Sequence, residues 1–345
     1  MINVYIPALQ TSAGEKAARY IDTLTKPIGS LGRLEEIAVE LAAMTGEVFP
    51  TVTPPGVLVF AGDHGIVKEG VSAYPQDVTA QMALNFLQGG AAINVFSQQI
   101  DAQFKLIDIG IASDLSHKDL VQRKVKRGTA SFYKEDAMTR SEAELAVQVG
   151  YEEAEELIAQ GIKCLIVGEM GIGNTTSSTA ILAVLTGERV SKLAGMGTGI
   201  SDEQLRHKVN VIEEALQNRH INPQDPIDII SKIGGLEIAG MTGAMLAAAA
   251  HRIPILVDGF ICTVAALLAT EINTQARDYM FASHESVEQG HACAMKLLGK
   301  KPLLNLNLRL GEGSGAAVTF PLLHSASLMI ANMATFQSAG VSEKE

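Results

Sequence analysis

The side chains with the plainest chemical potential stand in glycine-rich segments. Glu312 lies in Leu308-Arg-Leu-Gly-Glu-Gly-Ser-Gly315, where glycines on both sides let a ligand or a second stretch of backbone come close. In an apolar pocket such a carboxyl would have a raised pKa and serve as a base near neutral pH. A solvated loop glutamate would have the same neighbours in sequence. Gly168-Glu-Met-Gly-Ile-Gly-Asn-Thr-Thr-Ser-Ser178 follows an apolar run and opens a helical pattern. Backbone N–H groups and the helix dipole at such a turn make a phosphate site. The glycines read GxxGxG rather than the dinucleotide order GxGxxG, and Asn174 stands where a Walker A loop requires lysine. A bare strand-to-helix turn would also use these glycines, but the polar run Asn174 to Thr179 exceeds what a cap requires. Gly195-Met-Gly-Thr-Gly-Ile-Ser201 is a second candidate cradle, with Lys208 as a source of positive charge. A flexible connector beside an exposed lysine fits that segment equally.

Other polar groups carry weaker signals. Asp63-His64 could be an acid–base or metal pair, although a polar pair after a buried strand more often satisfies loop backbone. His284-Glu285 with His291 is not the HExxH zinc pattern, and the eight histidines are scattered with no structural-zinc spacing. Ser72-Ala-Tyr-Pro75 and Val78-Thr-Ala-Gln-Met82 place a tyrosine, hydroxyls and Gln81 near a helix start, where they could line an aromatic-ligand pocket. Asp77 capping a helix whose Met82 and Leu84 pack is the simpler reading. The run Ile238 to Ala250 is small-residue helix packing.

The chain that must position these groups has 345 residues, enough for one large α/β domain with elaborations. Its 27 basic and 38 acidic residues sum to −11, which opposes a nucleic-acid partner but leaves room for a local anion pocket. Aromatics are 5% with no Trp, so a base-stacking platform is not expected. Apolar residues at 47% supply a core. Cys164, Cys262 and Cys293 form no CxxC pair and no disulfide framework, as expected of a reduced, cytoplasmic protein. Met1 to Gln10 shows no secretory pattern. Gly313 to Ser342 lacks Asp, Glu, Lys and Arg, but Pro321 and His324 interrupt it. The expectation there is a buried terminal helix over about 324–335 and no membrane span.

Apolar periodicity predicts a first helix from Ser30, as N-cap, to Met44, and strands at Val57–Phe60, Phe104–Ile109, Lys163–Val167, Pro254–Val257 and Asp278–Ala282. Helices are predicted between them, one opened by a Ser141/Glu144 capping box and stopped at Gly161, another capped by Ser201 and Gln204. The alternation implies an α/β fold, a doubly wound, Rossmann-like parallel sheet over residues 52–302. Residues 1–51 plus 303–345 would form a smaller helical domain carrying the Glu312 loop. Ligands in such folds sit beyond the carboxyl ends of the strands, so the loops at Asp63, Asp108, Glu169, Asp258 and Ser283 should converge.

Six segments in order resemble the nicotinate-nucleotide–dimethylbenzimidazole phosphoribosyltransferase family: Thr25-Lys-Pro-Ile-Gly-Ser-Leu-Gly-Arg-Leu-Glu35, Phe60-Ala-Gly-Asp-His-Gly65, Val71 to Pro75 with Val78 to Met82, Gly168 to Thr176, Val257-Asp-Gly-Phe260, and Leu308 to Gly315. The likeness runs from about residue 20 to 335 and departs at Asn305, where an aspartate is usual. The resemblance implies transfer of phosphoribose from nicotinate mononucleotide to 5,6-dimethylbenzimidazole, with inversion at the anomeric carbon. It implies Glu312 as the general base and Glu169 near the sugar and ring. Phosphate and ribose would be handled by Gly171, Gly173, Asn174, Thr175 and Thr176, by Gly197, Thr198 and Gly199, by Lys208, and by Gly313, Ser314 and Gly315. Ser72, Tyr74 and Gln81 would line the benzimidazole pocket. The resemblance also implies a homodimer acting on small molecules. The leaving group is a pyridinium that departs as a neutral ring, so no pyrophosphate needs neutralising and the reaction asks for no cofactor or metal. Two other classes stay open on the residues alone: a non-catalytic nucleotide sensor, and a dinucleotide-fold enzyme, against which the glycine order speaks.

Overall fold

The computed structural model describes residues 4–197 and 199–342. Six strands form one sheet: β1 Pro55–Gly62, β2 Gln103–Gly110, β3 Leu120–Gln122, β4 Cys164–Met170, β5 Ile255–Val257 and β6 Met280–Ala282. Their order is β3-β2-β1-β4-β5-β6 and every pairing is parallel. This is the doubly wound order, with the direction of winding reversing between β1 and β4. The central strands β1 and β4 are buried along their whole length, which is why both appear in sequence as nearly unbroken apolar runs. The expected α/β class and parallel sheet are therefore observed, with one strand more than the periodicity predicted. β3 is three residues at the sheet edge, set between Asp119 and Arg123, too short to generate an alternating pattern.

The helices that position the site are α1 Thr11–Ile21, α2 Arg33–Thr45, α3 Val78–Leu87, α4 Arg140–Ala159, α5 Asn174–Thr186, α6 Asp202–Asn218, α7 Leu236–Ala250, α8 Phe260–Ile272 and α9 Ser314–Asn332. Four of these helices, α1, α2, α4 and α9, differ from expectation. A helix, α1, precedes the predicted first one; it buries Ala13, Ala17 and Ile21 at four-residue spacing, and two alanines make a weak apolar stripe. The N-cap of α2 is Gly32 rather than Ser30, while Glu35 reaches back to accept the Leu31 N–H at 2.8 Å. Thr139, not Ser141, caps α4: its hydroxyl accepts the Glu142 N–H at 3.2 Å, and the Glu142 carboxylate accepts the Thr139 N–H at 2.7 Å. Both registers satisfy the capping-box pattern; the turn selects the earlier one. Gly161 stops α4 at φ 98°, and Ser201 with Gln204 caps α6, both as predicted.

The terminal helix begins ten residues earlier than expected, at Ser314, and runs through Pro321. By length and composition α9 could cross a membrane, but 61% of its apolar window is buried within the fold, the pattern of a core helix. It packs on α2, β4 and β5, and so links the chain ends to the sheet. Thr25 N–H donates to Ala334 O at 3.0 Å and Phe336 N–H to Thr23 O at 2.9 Å. Tyr279 Oη donates to Pro7 O at 2.7 Å, tying the N-terminal segment to the far end of the sheet. α4 lies against α7 so closely that a Cβ on Gly150 or Gly243 would enter the facing backbone. The small residues of α7 therefore serve helix packing, as the sequence indicated.

Candidate active site

A cleft of about 510 Å³ opens beyond the carboxyl ends of the strands. β4 delivers Glu169 to its floor. The glycine turn that follows folds back under it, and α5 begins at Asn174. Glu312 enters from the loop before α9. Three successive residues there, Gly311, Glu312 and Gly313, have φ of 91°, 65° and 87°. A glutamate held at positive φ costs roughly 1–2 kcal/mol, and such strain persists only where surrounding contacts impose it. Those contacts are visible. Glu169 Oε1 accepts the Glu312 N–H at 3.4 Å, while Asp258 accepts the Gly313 N–H at 3.1 Å and the Ala316 N–H at 2.9 Å. Asp258, at the end of β5, thus anchors the first turn of α9. A Cβ on Gly168 would collide with the Glu312 carbonyl, and one on Gly311 with the Glu169 carboxylate. The glycines around both acids are needed because the two backbones nearly touch.

Burial dominates the electrostatics. Glu312 is 6% exposed and its Oε2 has no hydrogen-bond partner. Burial, with the Asp258 charge adding, pushes its pKa up to about 7. Glu169 is held well above the carboxylate range by burial, then by the charges of Glu237, Asp258 and Glu312. Burial also raises Asp258, against the influence of His284, whose Nδ1 stands 3.6 Å from Asp258 Oδ1. At the basic wall the direction reverses: burial lowers Lys208 to about 8, opposed by Glu288. Its Nζ donates to Thr175 Oγ1 at 3.0 Å and to Gly195 O at 3.5 Å. Asn174 Nδ2 donates to Glu169 Oε2. One connected path therefore runs from the Glu312 backbone N–H through Glu169 and Asn174-Thr175 to Lys208 and the Gly195–Gly197 turn. It pairs a proton acceptor with a cationic, glycine-lined end suited to an anion.

Of the residues singled out in sequence, Ser72, Tyr74, Glu169, Gly171, Gly173, Asn174, Thr175, Gly197, Lys208 and Glu312 line this cleft. Others stand elsewhere. Thr176 is fully buried inside α5 with its hydroxyl unpartnered. Gly313, Ser314 and Gly315 are buried behind the Glu312 loop, with Gly315 against the His284 ring. Gly199 faces solvent. Gln81 is exposed on α3, whereas buried Thr79 accepts the Ile172 N–H at 3.1 Å; positions two apart on a helix point about 200° apart. Thr198 lies outside the described residues. Asp63 and His64 do not form a pair with each other. Asp63 accepts the Ala112 N–H at 2.8 Å, and His64 bridges Glu237 at 2.6 Å and Ser177 at 3.0 Å beneath the glycine turn. Asp108 pairs with Lys124 at 2.9 Å away from the cleft. The loops expected to converge at Glu169, Asp258 and Ser283 do meet here, with Asp258 and His284 lining the cleft, whereas Glu288 and Arg309 line it without having been singled out in sequence. Asn305 Nδ2 donates to Glu285 at 2.8 Å, where an aspartate would set two carboxylates face to face. Among the described residues no group of three or more His, Cys, Asp or Glu side chains is arranged to hold a metal ion.

Comparison with known proteins gives one consistent result. A family model described as phosphoribosyltransferase matches residues 6–341. The nicotinate-nucleotide–dimethylbenzimidazole phosphoribosyltransferase of Chloroflexus aggregans is 49% identical over 342 residues, covering 99% of this chain and 97% of its own. The enzyme of the same name from Halalkalibacterium halodurans is 50% identical over 337 residues, covering 98% and 94%. The crystal structure of CobT from Thermus thermophilus superposes with a TM-score of 0.93 at 44% identity, covering 96% of this chain and 100% of that one. The chain belongs to the nicotinate-nucleotide–dimethylbenzimidazole phosphoribosyltransferase family.

Proposed function

We propose that this protein transfers phosphoribose from nicotinate mononucleotide to 5,6-dimethylbenzimidazole, giving α-ribazole 5′-phosphate and nicotinate with inversion at the anomeric carbon. The observation that carries the reading is the Glu312 carboxyl, buried at the cleft wall with one oxygen unpartnered and a pKa of about 7. A carboxylate of that basicity is matched to removing an azole N–H proton near neutral pH. In the reaction, the benzimidazole nitrogen forms a bond to the anomeric carbon as the bond to the pyridinium nitrogen breaks. The electron pair of the broken bond stays on the departing ring, which leaves neutral at nitrogen, and the azole proton passes to Glu312. Lys208 and the Gly195–Gly197 turn receive the phosphate; Glu169, joined to Asn174 and to the Glu312 backbone, holds the sugar end. Alignment of nucleophile and carbon contributes several kcal/mol of barrier reduction, and proton removal roughly 10²–10⁴-fold.

A homodimer and a cytoplasmic location belong to the same reading; Cys164, Cys262 and Cys293 are free thiols. The decisive experiment is chromatography of purified protein with nicotinate mononucleotide and dimethylbenzimidazole. Release of nicotinate together with a ribazole phosphate is expected. Binding of the nucleotide without nicotinate release would make the protein a sensor instead of an enzyme.

A further inference from the structure

The basic wall of the cleft already contains an anion. Glu288 follows β6, lines the cleft, and is half-buried. Its carboxylate sits against Gly195 so closely that a Cβ there would strike Oε2, and the Gly197 backbone N–H acts on it to favour the charged form. Lys208 and Arg309 are the cations acting on it. Lys208 reaches the other side of the same turn through Gly195 O at 3.5 Å, and Arg309 Nη1 donates to Gly197 O at 3.5 Å. A glycine-turn N–H flanked by a buried ammonium and a guanidinium is what a phosphate group requires. A side-chain carboxylate holds that position.

We propose that Glu288 is a built-in substitute for the ligand's phosphate, and that binding of a phosphorylated ligand at the Gly195–Gly197 turn is linked to uptake of one proton by this carboxylate. Two anions cannot share one N–H and the same pair of cations, so an incoming phosphate must find Glu288 neutral. Burial already favours the neutral form. The device would supply a counter-charge near Lys208 and make affinity for the phosphorylated substrate fall as pH rises. Other charged groups surround the cleft. Asp258, Glu169 and Glu312 stand on the acidic side, His284 and His291 belong to the Glu288 segment, and Lys208 itself titrates near 8. All are present whether or not residue 288 carries a carboxyl, so a comparison of variants isolates its contribution.

This inference rests on the proposed function for the identity of the natural ligand but not for its test. Sulfate, which takes up no proton near neutrality, is titrated into the full-length protein by calorimetry from pH 5.5 to 7.5, in buffers of different ionisation enthalpy. Wild type should bind with uptake of about one proton and lose about tenfold in affinity per pH unit once Glu288 ionises. Glu288→Gln should lack that proton and that slope, and should bind sulfate at least about tenfold more tightly than wild type at pH 7.5. Glu288→Asp, which keeps the charge, should retain the slope. Identical pH dependence in wild type and Glu288→Gln would overturn the proposal, as would weaker binding by Glu288→Gln at pH 7.5. Loss of the cooperative melting transition in both Glu288→Gln and Glu288→Ala would also overturn it, because the carboxylate would then be a structural support. Failure of nicotinate release with the sulfate linkage intact would remove the proposed reaction and leave this inference standing.

Discussion

Glu169 Oε1 accepts the backbone N–H of Glu312 at 3.4 Å. These two acids of the cleft are therefore joined mechanically as well as electrostatically: the side chain of one helps fix the strained backbone that aims the other. Burial and neighbouring charge push Glu169 well above the usual carboxylate range, while Glu312 carries the side-chain oxygen that no hydrogen bond occupies.

Glu312→Gln should lower kcat by roughly 10²–10⁴-fold while changing nucleotide affinity little, measured by steady-state kinetics and by nucleotide titration. In wild type, kcat/KM should rise through pH 7 and then level as Glu312 ionises. The stability effect has the opposite direction. A carboxyl raised from 4.5 to about 7 in the folded state favours the fold below 4.5, and that advantage is lost as pH climbs to 7. At pH 8 the loss is on the order of 3 kcal/mol, so Glu312→Gln should melt above wild type there. Equal turnover by wild type and Glu312→Gln would remove the base assignment.

Asp258→Asn removes the charge that adds to the raised pKa of Glu312. The rise of kcat/KM should therefore move to lower pH. One amide oxygen cannot replace two carboxylate oxygens that accept from Gly313 and Ala316, and an orphaned buried N–H costs about 1–3 kcal/mol. The variant should combine a shifted pH–rate curve with a lower Tm.

Lys208→Met should raise the Kd for nicotinate mononucleotide more than it lowers kcat, because in the proposed reaction the ammonium meets the phosphate and not the reacting carbon. In wild type, nucleotide affinity should weaken further above pH 8 as Lys208 loses its proton. A lysine depressed from 10.5 to about 8 makes the fold less stable below 8, and stability recovers between 8 and 10.5. Lys208→Met should thus melt above wild type at pH 7; a fall in Tm would show that the bond to Thr175 outweighs the buried charge.

Gly150→Ala places a methyl group in the Gly240 backbone at the α4–α7 contact. Overpacking of this kind costs about 1–3 kcal/mol and can exceed it where backbone must move. Denaturant unfolding should report a loss at or above the top of that range. A change below about 1 kcal/mol would mean that the two helices separate freely.

Much of this protein is determined locally. The apolar runs ending at Phe60, Ile109, Val167 and Val257 give strands and loop positions, since strands buried on both faces leave little alternation to read. The caps at Ser201 and the stop at Gly161 follow from hydrogen bonding within one turn. The glycine frame around Glu312 marked that acid, because close backbone approach leaves a compositional trace, while the family resemblance added Glu169. Other features are not local. Carrying α9 through Pro321 and pairing three edge residues as β3 depend on neighbours distant in sequence. His64 illustrates the limit: beside Asp63 in the chain, it bonds instead to Glu237 and Ser177, 173 and 113 positions away.

The chemistry divides the same way. Sequence alone specified that a glutamate sits between glycines, but a pKa depends on what surrounds the group in space. Only folding brings Asp258 under the Glu312 loop, Glu288 into the Gly195–Gly197 turn and Lys208 out of water. Solvent exclusion and charge proximity are properties of the assembled tertiary structure, and no stretch of chain carries them by itself.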